Sequence, residues 1–143
     1  MYNFIWLDLR GSVQWAERLG DWAYAQQIEA CWQQLEAFLL GSDVLIYQYV
    51  GDAVILYANN VAVADMVEIV EKLQKWASAA YNFVFRAAVH RGEVVHIVRG
   101  GQQFFYGKTL NELYQLSQAQ KQFSAQNVVF SPLAAAEKSV GKK

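Results

Sequence analysis

The sequence predicts an α+β fold, a ferredoxin-like mixed sheet with its helices packed on one face. Three observations point there. Short apolar runs of strand length recur along the chain, interleaved with longer stretches of helical periodicity. Two adjacent apolar runs are separated only by Gly51-Asp52, the pattern of a hairpin. Finally, 143 residues that are 55% apolar and 15% aromatic can fill one core.

The first strand is expected over about residues 2–9, after which Ser12 caps a short helix that breaks at Gly20. A longer helix begins near Asp21, where Ile28, Cys31, Leu35 and Phe38 follow helical spacing towards the sheet, and Gly41-Ser42 stops it. The runs at about 43–50 and 52–58 form the hairpin, Gly51 allowing the backbone a tight turn. A second amphipathic helix covers about 62–79, with Val63, Met66, Val67, Val70 and Leu73 on one side and Glu68, Glu71, Lys72 and Lys75 on the other.

Two further strands are expected at about 83–91 and 93–99, then a turn over Gly100-Gly101-Gln102-Gln103. Phe104-Phe105-Tyr106 leads into a helix from about Lys108. A last strand, Asn127 to Phe130, meets Ser131-Pro132, an N-cap followed by proline at the first helical position. The order βααββαββαβα covers residues 1–143 as one domain, without repeat or linker.

Charge and cysteine usage narrow the function. A net charge of −1 without a basic cluster before the last few residues argues against nucleic acid as a partner. The one cysteine, Cys31, lies in a helical apolar stripe, so neither a disulfide framework nor a thiolate metal site is available, and a cytoplasmic setting follows. No stretch approaches the roughly 20 apolar residues of a membrane span, and Asp8 inside the first apolar run does not suit a signal peptide. His90 and His96 lack the convergent ligands of a zinc site, and Gly100-Gly101 is not followed by P-loop residues.

Asp8 and Asp52 carry the functional argument, because each sits where an apolar strand meets a tight turn. Taken singly, either reads first as a turn or strand-end residue. Brought together, two carboxylates held by a sheet form a hard-oxygen cage for Mg²⁺ or Mn²⁺ with a bound phosphate. Gly11-Ser12, following the first aspartate, opens a helix whose free amides can cradle phosphate oxygens.

At these residues the chain resembles the catalytic domain of the class III nucleotidyl cyclases, the adenylate and guanylate cyclase family. The resemblance runs in order through Asp8-Leu9-Arg10-Gly11-Ser12, Trp15-Ala16-Glu17-Arg18-Leu19-Gly20, Val50-Gly51-Asp52, Arg86-Ala87-Ala88-Val89-His90-Arg91-Gly92-Glu93-Val94 and Tyr106-Gly107-Lys108-Thr109-Leu110-Asn111. It implies the class III catalytic-domain fold and a head-to-tail dimer, as a homodimer or with another cyclase-type domain. Nucleotide sites would lie between the subunits, one subunit giving the metal-binding aspartates and the other the transition-state groups.

The resemblance further implies two divalent ions, Mg²⁺ or Mn²⁺, held by Asp8, Asp52 and the Leu9 carbonyl. It implies conversion of a nucleoside triphosphate to a 3′,5′-cyclic nucleotide and pyrophosphate. The amides of Gly11, Ser12 and Val13 would cover the phosphates, and Asn111 would position the ribose.

Several positions depart from the family. The arginine expected four residues after Asn111 is Gln115, whose neutral amide cannot grip a developing phosphorane, so Arg99, Arg10 or Lys108 would have to substitute. The base-reading positions are Gln48 and Phe104, which leave ATP, GTP or a pyrimidine nucleotide open. The family usually continues into a final hairpin bearing a phosphate-binding lysine, for which Lys142 and Lys143 are poor stand-ins. These departures also suit a catalytically degenerate cyclase-homology module that binds nucleotide or a partner domain and regulates without turnover.

Overall fold

The computed structural model describes residues 1–141, so Lys142 and Lys143 lie outside the described residues. The chain runs β1 (Tyr2–Leu9), α1 (Ser12–Leu19), α2 (Asp21–Leu39), β2 (Leu45–Val50), β3 (Ala53–Asn59), α3 (Val63–Tyr81), β4 (Phe85–Gly92), β5 (Val95–Arg99), β6 (Gln102–Tyr106), α4 (Lys108–Phe123), β7 (Val128–Phe130) and α5 (Pro132–Gly141). Five strands make one mixed sheet in the order β2-β3-β1-β4-β7, antiparallel except where β7 joins β4 in parallel. The expected ferredoxin-like mixed sheet is therefore present.

Strand alternation divides the core in two. On β1, Ile5, Leu7 and Leu9 turn to the layer formed by α1, α2, α3 and α5, where they bury against Ile28, Cys31, Leu35, Met66, Val70 and Leu73. The helical stripes read from the sequence are those that pack here. Phe4 belongs to a second cluster on the opposite face, with Ile55, Tyr57, Ala88, Phe105 and Leu113, and Trp6 packs against it. One helix thus lies outside the one-sided helical layer: α4 crosses this second face and carries Leu113 into it.

Two local readings change. The segment read as a turn leading into the last long helix contains a strand, β6, which pairs with β5 in a separate two-stranded sheet. Gln102 and Gln103 looked like turn residues because they are polar, but an exposed two-stranded ribbon does not need to bury them. Ser12 does not cap α1 either. The cap position is Gly11, at φ 69° in the left-handed region, with no side-chain cap bond. At α5 the expected cap does form, the Ala134 amide donating to Ser131 Oγ at 3.3 Å, with Pro132 opening the helix.

Candidate functional site

The β1–β3 ladder sets Asp8 opposite Ala53, the neighbour of Asp52 in the two-residue turn that joins β2 to β3. Gly51 holds that turn at φ 58°. Asp8 and Asp52 consequently line one cavity of about 380 Å³, together with Trp6, Leu9, Ser12 and, from α4, Tyr114, Gln118 and Lys121. Two of the three residues expected to hold metal are carboxylates at this mouth and the third, Leu9, also lines it. All would offer hard oxygen donors.

Asp8 is buried and already paired with two cations. Arg86, directly across the β1–β4 ladder, brings Nε to 3.6 Å from Oδ1, and Lys121 Nζ from α4 lies 3.0 Å from Oδ2. The Arg86 Nε is itself buried without a hydrogen-bond partner among the described residues. Neither cation stood out in the sequence as part of a site. Arg86 belongs to a strand segment that carries the resemblance, and Lys121, in the last turn of α4, belongs to no motif.

The N-terminus of α1 opens beside this mouth. The first intrahelical bond runs from the Trp15 amide to the Gly11 carbonyl at 3.0 Å, so the Ser12 and Val13 amides precede the helical ladder, and no side chain caps them. Ser12 lines the cavity; Gly11 and Val13 are exposed beside it. On the other side of the turn, Asp52 borders a larger groove of about 570 Å³ with Tyr24, Trp32 and Tyr49. Burial, then the nearby Asp52 carboxylate, raises the Tyr24 pKa above its ordinary value.

Gln48 and Phe104 meet although they come from different sheets. They line a cleft of about 350 Å³ with Ile46, Tyr47, Gln102 and Gln103. Tyr47 and Phe105 hold the two sheets together here, with ring centroids 4.9 Å apart. Arg99 lies over the Phe104 ring, 4.3 Å from its centroid, which commits that guanidinium to a cation–π contact.

Asn111 and Gln115 are exposed on α4 and line neither cavity of their own chain. Nearer the aspartates, α4 presents Tyr114, packed on Trp6 at 5.5 Å between ring centroids, and Gln118. Of the other substitutes considered for a missing arginine, Arg10 and Lys108 are exposed at the ends of β1 and α4's first turn, outside the lining of the mouth. His90 Nε2 lies 3.3 Å from Glu112, and no group of three or more metal-ligating His, Cys, Asp or Glu side chains occurs among the described residues. None of the described helices is long and apolar enough to cross a membrane.

No family model matches the sequence, and no curated protein matches it. Solved structures do match in fold. The non-canonical dimeric guanylyl cyclase domain of the RhoGC fusion protein from the aquatic fungus Blastocladiella emersonii superposes with a TM-score of 0.79 at 13% identity, over 97% of this chain and 83% of that one. A bacterial light-regulated adenylyl cyclase gives 0.80 at 10% identity, over 99% and 79%. The guanylate cyclase domain of RhGC from Catenaria anguillulae, solved in complex with GTP, gives 0.75 at 14%, over 95% and 80%. The chain has the fold of the class III adenylyl and guanylyl cyclase catalytic domains.

Proposed function

We propose that this chain is a metal-dependent nucleotidyl cyclase, converting a nucleoside triphosphate to a 3′,5′-cyclic nucleotide and pyrophosphate at a dimer interface. The observation that carries this reading is that Asp8 and Asp52 share one mouth beside the uncapped start of α1. The donor set suits Mg²⁺ or Mn²⁺, because it is all oxygen and because buried Asp8 already draws two cations to itself. Asp8, Asp52 and the Leu9 carbonyl would hold two such ions. When bound, they would lower the pKa of the ribose 3′-hydroxyl and stabilise the departing pyrophosphate.

The chain's own groups supply binding and orientation. Amides at Gly11, Ser12 and Val13 receive phosphate oxygens where the helix dipole favours negative charge. Phe104 offers a ring face to the base, and Gln48 offers an amide that can donate or accept. Gln48 is neutral and can read either a donor or an acceptor edge, and the Arg99 guanidinium is committed to the Phe104 ring, so purine and pyrimidine triphosphates are all candidate substrates. Asn111 and Gln115, exposed on α4, would act on the nucleotide of a partner subunit, either a second copy or another cyclase-type domain. The exposed apolar residues of β5 and α4, among them Val95, Ile97, Val98 and Tyr114, suit burial in such a pair. One domain in the cytoplasm, without nucleic acid as a partner, completes the reading.

Gln115 favours a second reading, in which the domain binds nucleotide or a partner and regulates without turnover. Equilibrium binding of a fluorescent nucleoside triphosphate tests both. Mn²⁺-dependent binding abolished by Asp52→Asn is the expected result. Binding indifferent to Mn²⁺ and to Asp52 overturns the cyclase reading, and metal-dependent binding without product favours the regulatory one.

A further inference from the structure

The two cations on Asp8 are not equivalent. Arg86 is buried in the sheet beneath the carboxylate and has nowhere to go. The Lys121 side chain is 38% exposed, and its ammonium rides on a flexible four-carbon stem. The backbone beneath that stem is fixed. Buried Gln120, the preceding residue, donates from Nε2 to the Ala87 carbonyl at 3.2 Å and to the Gln126 carbonyl at 3.1 Å, pinning the last turn of α4 to β4. Leu113 anchors the same helix in the second core cluster. Lys121 is thus a mobile charge on a rigid mount, at the rim of the cavity that holds both aspartates and Ser12.

We propose that Lys121 is the exchangeable cation of this site: it neutralises Asp8 in the free protein and moves to the polyphosphate when a divalent ion takes its place. The inference rests on the cyclase reading and assigns to Lys121 a phosphate-binding role within its own subunit. A divalent ion at Asp8 repels the ammonium 3.0 Å away, while the screened and distant solvent offers it less than a tri- or tetra-anionic phosphate chain in the same mouth. At each site Lys121 would thus supply a positive charge from the subunit that carries the aspartates, whereas the partner's α4 presents only the neutral Gln115.

Exchange makes two predictions of opposite sign. Lys121→Met removes the competitor for Asp8, so Mn²⁺ binds about tenfold more tightly without nucleotide, read by titration calorimetry and by the electron paramagnetic resonance signal of free Mn²⁺. The same variant loses a charge-assisted phosphate contact, so a non-hydrolysable nucleoside triphosphate at saturating Mn²⁺ binds about tenfold more weakly. Lys75→Met, on α3 in the opposite helical layer, removes equal charge and serves as the control. An unchanged value in either assay, or a change matched by Lys75→Met, overturns the exchange while wild-type binding leaves the cyclase reading standing. Wild-type protein that binds neither Mn²⁺ nor triphosphate overturns both.

Discussion

Asp8 and Arg86 face each other across the β1–β4 ladder, with Nε 3.6 Å from Oδ1 and both side chains about nine-tenths buried. The strand register thus builds the counter-charge of the candidate metal ligand into the sheet. Removing the guanidinium leaves a buried carboxylate supported by Lys121 alone. Arg86→Met is expected to lower stability by about 2 kcal/mol, measured by urea denaturation. In the double variant with Asp8→Asn the losses are less than additive. Additive losses would contradict the pairing.

Gly92 ends β4 against the first turn of α4. A β-carbon there would fall 2.8 Å from Thr109 Cγ2 and closer still to Oγ1, while Thr109 Oγ1 donates to the Glu93 carbonyl at 2.6 Å. Gly92→Ala is expected to cost about 1–3 kcal/mol by overpacking, and adding Thr109→Ala restores part of it. Thermal melts of the three variants decide this, and a melting temperature unchanged by Gly92→Ala would contradict it.

Cys31 is fully buried among Leu35, Ile28 and the sheet, and burial pushes its thiol from 9.0 up to about 12. The folded protein therefore retains a proton that the unfolded chain releases. This contribution is complete below about pH 9 and is lost as pH rises towards 12. Tyr24 and Tyr49, also raised by burial, steepen the loss above their ordinary 10.0. Cys31→Ala starts from lower stability but has a shallower slope between pH 9 and 10.5 in denaturation measured at several pH values, at roughly these limits. Parallel slopes would argue against the thiol as the source.

Gln115 stands where the resemblance expects a charge-bearing group, and its exposure on α4 leaves room for a longer side chain. Gln115→Arg is expected to raise the turnover of the proposed cyclase by about tenfold or more, with little change in KM, because the added guanidinium acts on charge that develops in the transition state. Single-turnover assays check this. An effect confined to KM would place residue 115 in ground-state binding.

Much of the scaffold was legible because it depends on local pattern. Val63, Met66, Val70 and Leu73 mark the buried face of α3 by spacing alone, and Gly51-Asp52 marks the hairpin turn. The meeting of Asp8 with Asp52 follows once β1 pairs with β3. What stayed hidden depends on tertiary placement. β6 was missed because Gln102 and Gln103 carry no apolar alternation, and the side of the sheet that α4 covers is decided by Phe4, Phe105 and Leu113, which lie far apart in sequence. Lys121 carries no motif; only the packing of α4 brings it to Asp8.

The most direct test of the central claim is product formation. The purified chain, at a concentration that favours dimers, is incubated with Mn²⁺ and ATP, GTP, CTP or UTP, and products are read by mass spectrometry beside an Asp8→Ala control. The account predicts a 3′,5′-cyclic nucleotide and pyrophosphate from at least one triphosphate, absent in the control. No cyclic product from any of the four, or equal product from Asp8→Ala, would contradict it.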